Sequence, residues 1–197
     1  MDTHKKEDLK KLIKEQAIFV DIKEYTLSSG EKSPYYYNLK NVMFDPIGIN
    51  LIADLLFEEI VLRGAKSIGG LEMGAIPITT AILQRSAEGH NYMLSGFAVR
   101  KRAKDHGLGL KVEGNLKQPV VIVDDVLTTG GSLWEAIQEI RKNGVSVNHV
   151  FCIIDREKER NILRDNHCAY TSLFKHSDFR EYIDKEIERQ KRLVNTH

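Results

Sequence analysis

Two adjacent acidic residues, Asp124 and Asp125, stand between an apolar run and a turn rich in glycine and hydroxyl groups. The four β-branched residues before them favour a central parallel strand buried on both faces, which carries the acids to the strand's carboxyl end. Ligands bind at that edge in open α/β sheets. The two successive glycines of the turn permit backbone N–H groups to converge on one anion, and the helix predicted over 133–143 adds its positive end. The predicted phosphate cradle comprises Thr128, Thr129, Gly130, Gly131 and Ser132.

The same segment excludes the commoner nucleotide-binding loops. The chain contains no Gly-Lys-Ser or Gly-Lys-Thr, and no Gly-x-Gly-x-x-Gly follows a predicted strand. Carboxylates beside a phosphate would repel it unless they serve a ribose diol, or a magnesium ion bound through water. The alternative is that Asp124 and Asp125 merely cap the strand and that the turn is an ordinary helix start.

Residues 120–132 resemble the phosphoribosyl-pyrophosphate signature of the type I phosphoribosyltransferases. A second motif at 100–107, Arg-Lys-Arg-Ala-Lys-Asp-His-Gly, is similar to the mobile catalytic loop of the orotate phosphoribosyltransferases, Arg-Lys-x-x-Lys-x-His-Gly. The resemblance extends from residues 25–30 and 32–35 to residues 154–157. It implies an α/β type I phosphoribosyltransferase fold, in which helices flank a central, mostly parallel sheet and the N-terminal region forms most of a small hood.

The implied activity transfers the ribose 5-phosphate group of 5-phosphoribosyl 1-pyrophosphate to orotate, giving orotidine 5′-monophosphate and pyrophosphate in de novo UMP biosynthesis. The cation-like sugar and the charged leaving group require carboxylates at one end of the site and cations at the other. Asp124 and Asp125 would hold the ribose hydroxyls, and the implied cofactor, Mg²⁺, would be held by the substrate and reach these carboxylates only through water. The residues implied to be catalytic are Asp124, Asp125, Arg100, Lys104 and His106. Those implied to bind phosphoribosyl pyrophosphate are the same five and the cradle, together with Lys101, Val126 and Leu127.

The cationic motif lies in a segment, 100–115, whose charges and glycines predict a loop or a loose hairpin. The resemblance implies that this loop closes over pyrophosphate and enters the active site of a partner subunit, so a homodimer with shared sites is expected. The alternative is a solvated charged loop, an interpretation that suits Arg102 equally well. The implied orotate ligands are Arg156, whose planar fork matches a carboxylate, and Thr128.

Residues 155–157 could also be a helix start with Asp155 as the N-cap, an interpretation that is compatible with ligand binding by Arg156. Lys32, Tyr35 and Tyr36 of the hood are weaker substrate candidates. Two departures from the family pattern stand out, because many relatives place lysines where this chain has Ser28 and Gly74.

Periodicity predicts the elements that position these residues. A first helix ends near residue 16, two antiparallel strands follow within 19–38, and strand and helix then alternate, which implies a parallel sheet with right-handed crossovers. Later helices are predicted over 46–63, 76–87, 134–141, 157–163 and 177–193, and strands over 67–70, 92–99, 120–123, 147–154 and 169–173.

Length and composition predict one domain over 1–197, with the hood mainly within 1–40. The net charge of +1 gives no overall electrostatic attraction to nucleic acid or to a membrane surface. No run approaches the ~20 apolar residues of a spanning helix, so a cytoplasmic protein is expected. Two competing functions are a purine phosphoribosyltransferase, which would have no use for the cationic loop motif, and a regulator that senses phosphoribosyl pyrophosphate while binding nucleic acid, which would need a basic face.

Overall fold

The computed structural model of the chain describes residues 2–26, 30–88, 92–102 and 111–195. Its helices are α1 (Thr3–Gln16), α2 (Lys40–Met43), α3 (Pro46–Leu62), α4 (Ala75–Ala87), α5 (Gly131–Lys142), α6 (Ile162–Asp165) and α7 (Arg180–Asn195), with a 3-10 turn at His176–Asp178. Its strands are β1 (Ile18–Thr26), β2 (Lys32–Tyr37), β3 (Ser67–Leu71), β4 (Ser95–Val99), β5 (Val112–Gly114), β6 (Val120–Leu127), β7 (Val147–Asp155) and β8 (Tyr170–Lys175).

The central sheet has six strands in the order β5-β4-β3-β6-β7-β8. Every neighbouring pair is parallel except β4 and β5, which are antiparallel. Two parallel neighbouring strands must be joined by a crossover connection, and helices supply several of these connections here. This explains why strand and helix patterns alternate along the sequence. The predicted α/β fold with a mostly parallel sheet flanked by helices is confirmed.

Strand β6 is buried on both faces. Val121 and Val123 face the cluster that also contains Leu9 of α1 and residues of α3, α4 and α7. Val120 and Ile122 face the opposite cluster, which contains apolar residues of α5. All four β6 side chains are fully buried. A strand with helices on both sides cannot expose a polar face, which explains the unbroken β-branched run.

Helix α3 shows how local signals set the helix limits. The carboxylate of Asp45 accepts hydrogen bonds from the N–H groups of Ile47 and Gly48 at 2.9 and 2.8 Å, and Pro46 occupies the first turn, where its missing N–H costs nothing. The helix ends beside Gly64, whose φ of +66° turns the chain away. Among the helices within the described ranges, none combines the length and the apolar character needed to cross a membrane.

Strands β1 and β2 form a separate antiparallel sheet, as predicted, and we call this pair the hood hairpin. Val20 pairs with Tyr35 across it. The side-chain amide of Gln190, on α7, donates to the backbone oxygen of Val20 at 2.6 Å. The C-terminal helix therefore supports the hood hairpin.

Two predictions of local structure need correction. The helix predicted over 157–163 is wrong except at its end, because Glu157 has a φ of +53° and its N–H donates to the Asp155 carboxylate at 2.8 Å, which forms a turn. Asp155 therefore caps no helix; its other oxygen accepts from the Tyr170 hydroxyl at 3.1 Å. Strand β4 begins at Ser95 and not at Tyr92, whose hydroxyl donates to the backbone oxygen of Ala65 at 2.6 Å.

Candidate active site

The two acids lie near the carboxyl end of β6, between β3 and β7. Asp124 accepts a hydrogen bond from the N–H of Asp125 at 2.9 Å, and Asp125 accepts one from the N–H of Val126 at 2.9 Å. The strand continues past both residues, so they do not cap it. Both side chains therefore accept hydrogen bonds from the backbone of their own strand, which fixes them near the carboxyl ends of the central strands.

Charge is concentrated at this acid pair. Burial and the neighbouring charge of Asp125 raise the pKa of Asp124 well above its ordinary value, although the Asp125 N–H and the ammonium of Lys40 act in the opposite direction. Lys40 Nζ lies 3.8 Å from Asp125 Oδ2. An acid pair of this kind attracts cations and hydroxyl donors, which is the chemistry expected of a ribose site.

The glycine turn after β6 has the shape of an anion cradle. Gly130 has a φ of +82°, and a Cβ at this position would lie 3.0 Å from a methyl group of Ile162. Helix α5 then begins at Gly131, two residues earlier than predicted, so the turn leads directly into its positive end. The backbone N–H of Ile162 donates to the Thr129 backbone oxygen at 3.0 Å, which joins the turn to the start of α6.

A cavity of about 430 Å³ opens above the acid pair. It brings together residues from β6, the glycine turn, the cationic segment and the end of β7, so the fold gathers much of the predicted set in one place. The predicted residues that line it are Lys101, Asp124, Asp125, Val126, Thr128, Ser132 and Arg156. Leu127 and the cradle residues Thr129, Gly130 and Gly131 are outside this lining.

Arg156 lies at the hood side of the cavity and is 5% exposed. Its backbone N–H donates to the Leu127 backbone oxygen at 2.9 Å, which joins Arg156 to the end of β6. Its side-chain Nη2 donates to Ser33 Oγ at 3.3 Å. The guanidinium carbon lies 4.6 Å from the ring centroid of Tyr35 and 5.8 Å from that of Tyr37. Within the described residues, the buried Nε has no hydrogen-bond partner. A desolvated guanidinium with an unused donor is suited to a planar anion.

The cationic segment is only partly described. The backbone N–H of Lys101 donates to Glu72 Oε1 at 3.1 Å, which places Lys101 at the cavity. Arg100 instead pairs with Glu113 of β5 at 3.4 Å, and its N–H donates to the Lys111 backbone oxygen. Strands β4 and β5 pair antiparallel, and the predicted loop between them falls mostly outside the described residues. Lys104 and His106 lie outside the described residues.

Sequence reasoning missed several residues of the cavity. Lys40 was not singled out, because nothing in its local sequence separates it from a surface lysine. Tyr37 lines the cavity beside Tyr36, a weaker candidate that the structure does place there, whereas Lys32 donates to Thr26 on the exposed hood hairpin. The end of β3 and the turn after it also line the cavity, through Leu71 in the strand and Glu72, Met73 and Gly74 in the turn.

Gly74 packs against the acid pair. A Cβ at this position would overlap Asp124 Oδ1 and lie 2.8 Å from Asp125 Oδ1. No side chain fits at residue 74 while the two carboxylates keep these positions. The other departure from the family pattern, Ser28, lies outside the described residues.

Comparison with known proteins agrees with the fold and the cavity. Residues 64–182 match the family model described as a phosphoribosyl transferase domain, so the chain has the fold and the signature of a phosphoribosyltransferase. An orotate phosphoribosyltransferase of Bradyrhizobium sp. (strain BTAi1) is 44% identical over 142 residues, which cover 68% of this chain and 76% of that protein. The chain belongs to the orotate phosphoribosyltransferase family.

Two more distant members agree with this placement. The orotate phosphoribosyltransferase of Methanocaldococcus jannaschii is 39% identical over 166 residues, 82% of this chain and 90% of that protein. The crystal structure of the Mycobacterium tuberculosis orotate phosphoribosyltransferase superposes with a TM-score of 0.73 at 27% identity, covering 88% of this chain and 98% of that one. A bacterial relative therefore shares the fold of the chain, and an archaeal relative shares much of its sequence.

Proposed function

We propose that the protein transfers the ribose 5-phosphate group of 5-phosphoribosyl 1-pyrophosphate to orotate, releasing pyrophosphate and forming orotidine 5′-monophosphate in UMP biosynthesis. Family membership supports orotate over the purine bases, because the similar relatives described above are orotate phosphoribosyltransferases. The observation that carries the proposal at the site is Arg156, whose buried guanidinium lines the same cavity as Asp124 and Asp125.

The base-binding end of the cavity is built for an anion. Orotate carries a carboxylate, and the planar fork of Arg156 can hold it with two parallel hydrogen bonds. The unpartnered Nε of Arg156 supplies a donor that gains a partner only when a ligand arrives. Thr128, which lines the same cavity, adds a hydroxyl contact to the orotate ring.

The sugar-phosphate end follows from the acid pair and the cradle. Residues 128–132, which lead into α5, hold the 5′-phosphate through backbone N–H groups and hydroxyls. Asp124 and Asp125 accept hydrogen bonds from the ribose hydroxyls. Their negative charge lies close to the anomeric carbon as it becomes cation-like, and stabilises the transition state more than the ground state.

The leaving group is held by cations. Lys101 already lies at the cavity, and Arg100, Lys104 and His106 join it when the loop closes over pyrophosphate. Arg100 must exchange Glu113 for the substrate in that step. Closure also excludes water from the cation-like sugar. We extend the family's shared-site homodimer to this protein, in which Lys101 serves the cavity of its own subunit and the rest of the loop serves the cavity of the partner subunit.

The donor set at the cavity fits magnesium that arrives with its substrate. Within the described residues, no group of three or more His, Cys, Asp and Glu side chains is placed to hold a metal ion, whereas the carboxylates of Asp124 and Asp125 face the cavity. These two residues would contact the hydrated ion through its waters, which Mg²⁺ gives up reluctantly. Bound magnesium would neutralise charge on pyrophosphate as it leaves.

The assignment has consequences for organisation. We propose that 1–197 acts as one phosphoribosyltransferase domain, with the hood mainly within 1–40 and a mobile catalytic loop at about 100–115, of which 112–114 form β5. We also propose that the protein works in the cytoplasm, where a pathway that makes nucleotides would find its substrates.

The test follows the loss of orotate absorbance when purified protein is mixed with phosphoribosyl pyrophosphate and Mg²⁺, with uracil, hypoxanthine and adenine as parallel acceptors. Turnover confined to orotate is expected. Turnover with another base and none with orotate would assign a different phosphoribosyltransferase activity. Silence with every base would contradict an enzymatic function and leave a protein that only binds phosphoribosyl pyrophosphate.

A further inference from the structure

Lys40 is a cation of the cavity that no sequence motif identifies. It begins helix α2, in which Val42 and Met43 are buried and hold the helix against the core. The Lys40 side chain is 45% exposed, lines the cavity and places Nζ 3.8 Å from Asp125 Oδ2. This separation is longer than a hydrogen bond, so the ammonium keeps donors for another ligand.

Residue 74 brings no cation to the acid pair. Gly74 contacts the carboxylates of Asp124 and Asp125 so closely that a Cβ would overlap them. The lysine that the family pattern implies at residue 74 is therefore incompatible with this arrangement of the acids. In this chain the positive charge beside Asp125 comes instead from α2.

The other cations of the cavity have different neighbours. Lys101 is placed by the contact of its backbone with Glu72, and Arg156 lies against the tyrosines of the hood hairpin. Among the described residues that line the cavity, Lys40 is the cation paired with the acid pair. A highly charged pyrophosphate cannot approach two carboxylates closely without such compensation.

We propose that Lys40 is a substrate-binding residue that holds the pyrophosphate group of phosphoribosyl pyrophosphate in place of a cation at residue 74, and that it is the counter-ion of Asp125 in the free enzyme. The inference rests on the proposed function. Substrate binding exchanges one carboxylate partner of the ammonium for phosphate oxygens, while magnesium and the ribose hydroxyls take up the charge of the acids.

The test compares Lys40→Met with Lys66→Met, in steady-state kinetics with orotate, phosphoribosyl pyrophosphate and Mg²⁺. Lys66 is exposed at the opposite end of β3, where its Nζ lies 5.0 Å from the Tyr92 ring centroid. Loss of a charge-assisted hydrogen bond should raise the KM for phosphoribosyl pyrophosphate and the inhibition constant of pyrophosphate by roughly 10- to 100-fold in Lys40→Met. The KM for orotate and the inhibition constant of orotidine 5′-monophosphate should change little, and Lys66→Met should match wild type.

Two further variants separate binding from positioning. Lys40→Arg keeps the charge and should recover much of the affinity for pyrophosphate, whereas Lys40→Gln keeps a donor without charge and should not. If the wild-type protein is active but the inhibition constant of pyrophosphate is unchanged in both Lys40→Met and Lys40→Gln, the inference about Lys40 is overturned and the proposed function stands. A fall in kcat with unchanged pyrophosphate affinity would also overturn it, since it would show that Lys40 only positions Asp125. Inactive wild-type protein would overturn the proposed function itself.

Discussion

The guanidinium of Arg156 lies against the hood hairpin, with its central carbon 4.6 Å from the ring centroid of Tyr35. The Tyr35 ring also stacks on His176, with centroids 4.8 Å apart and planes inclined by 11°. His176 in turn shares a hydrogen bond of 2.9 Å with the hydroxyl of Tyr37. A cation held on an aromatic surface keeps its orientation without a carboxylate partner, so Arg156 stays free to bind an anion.

Replacing Arg156 with Lys should raise the KM for orotate by roughly 10- to 100-fold, because lysine keeps the charge but loses the planar fork. The KM for phosphoribosyl pyrophosphate should change much less. Arg160→Lys, an exposed arginine outside the cavity lining, serves as the control and should behave as wild type. Equal losses for both substrates in steady-state kinetics would show that Arg156 does not discriminate for orotate.

Replacing Gly74 with Ala should lower turnover by roughly 10²-fold, because the added Cβ forces Asp124 and Asp125 out of position and small displacements of catalytic groups are costly. The substitution lies in the turn before α4, so the melting temperature should fall only slightly. Thr80→Ala, at an exposed position of α4, is the matched control. Wild-type turnover in Gly74→Ala would show that the acids tolerate displacement.

Replacing Lys104 with Ala should reduce kcat by roughly 10²- to 10³-fold, the loss typical of one charge-stabilising group. Far-UV circular dichroism and the melting temperature should match wild type, because the predicted role is in closure over pyrophosphate. Lys117→Ala, a surface lysine between β5 and β6, is the control. Near-normal turnover in Lys104→Ala would contradict the proposed clamp on the leaving group.

Shared sites can be tested by mixing two inactive variants, Lys104→Ala and Asp125→Asn. If each loop serves the partner subunit's cavity, a mixed dimer has one site with both residues intact, so random exchange of subunits should restore about a quarter of wild-type activity. Sedimentation should show dimers throughout. Failure to regain activity after verified subunit exchange would assign each loop to its own subunit.

The folded protein should lose stability in acid through His149. Burial, together with the positive charge of Arg63, lowers the pKa of His149 to about 4, whereas an unfolded histidine titrates near 6.5. Below about pH 6.5 the unfolded chain therefore binds the proton more readily, and stability falls until the pH reaches about 4. Between pH 7.5 and pH 4.5, the melting temperature of His149→Gln should fall by less than that of wild type. The exposed control His4→Gln should show the same fall as wild type. Parallel curves for wild type and His149→Gln would exclude this contribution.

Local patterns in the chain were enough to predict much of the fold and part of the site. The β-branched run of β6 needs burial on both faces, the glycine turn needs a positive φ at Gly130, and Asp45 and Pro46 start α3 whatever packs around them. Each of these features depends on residues next to one another, so the periodicity and the motif carry the information. The failure over 157–163 is also local, since the turn formed by Asp155 and Glu157 competes with a helix.

Contacts between distant segments could not be predicted in this way. The position of Lys40 beside Asp125, the contact of Gly74 with the same carboxylates, and the packing of Arg156 on Tyr35 all depend on strand order and on how the hood hairpin rests against the end of β7. Alternating strands and helices specify a parallel sheet but not the order of its strands, and no local pattern encodes a neighbour from another part of the chain. The acids and the cradle follow from neighbouring residues, whereas their counter-charge and the setting of the orotate ligand exist only once the sheet and the hood are assembled.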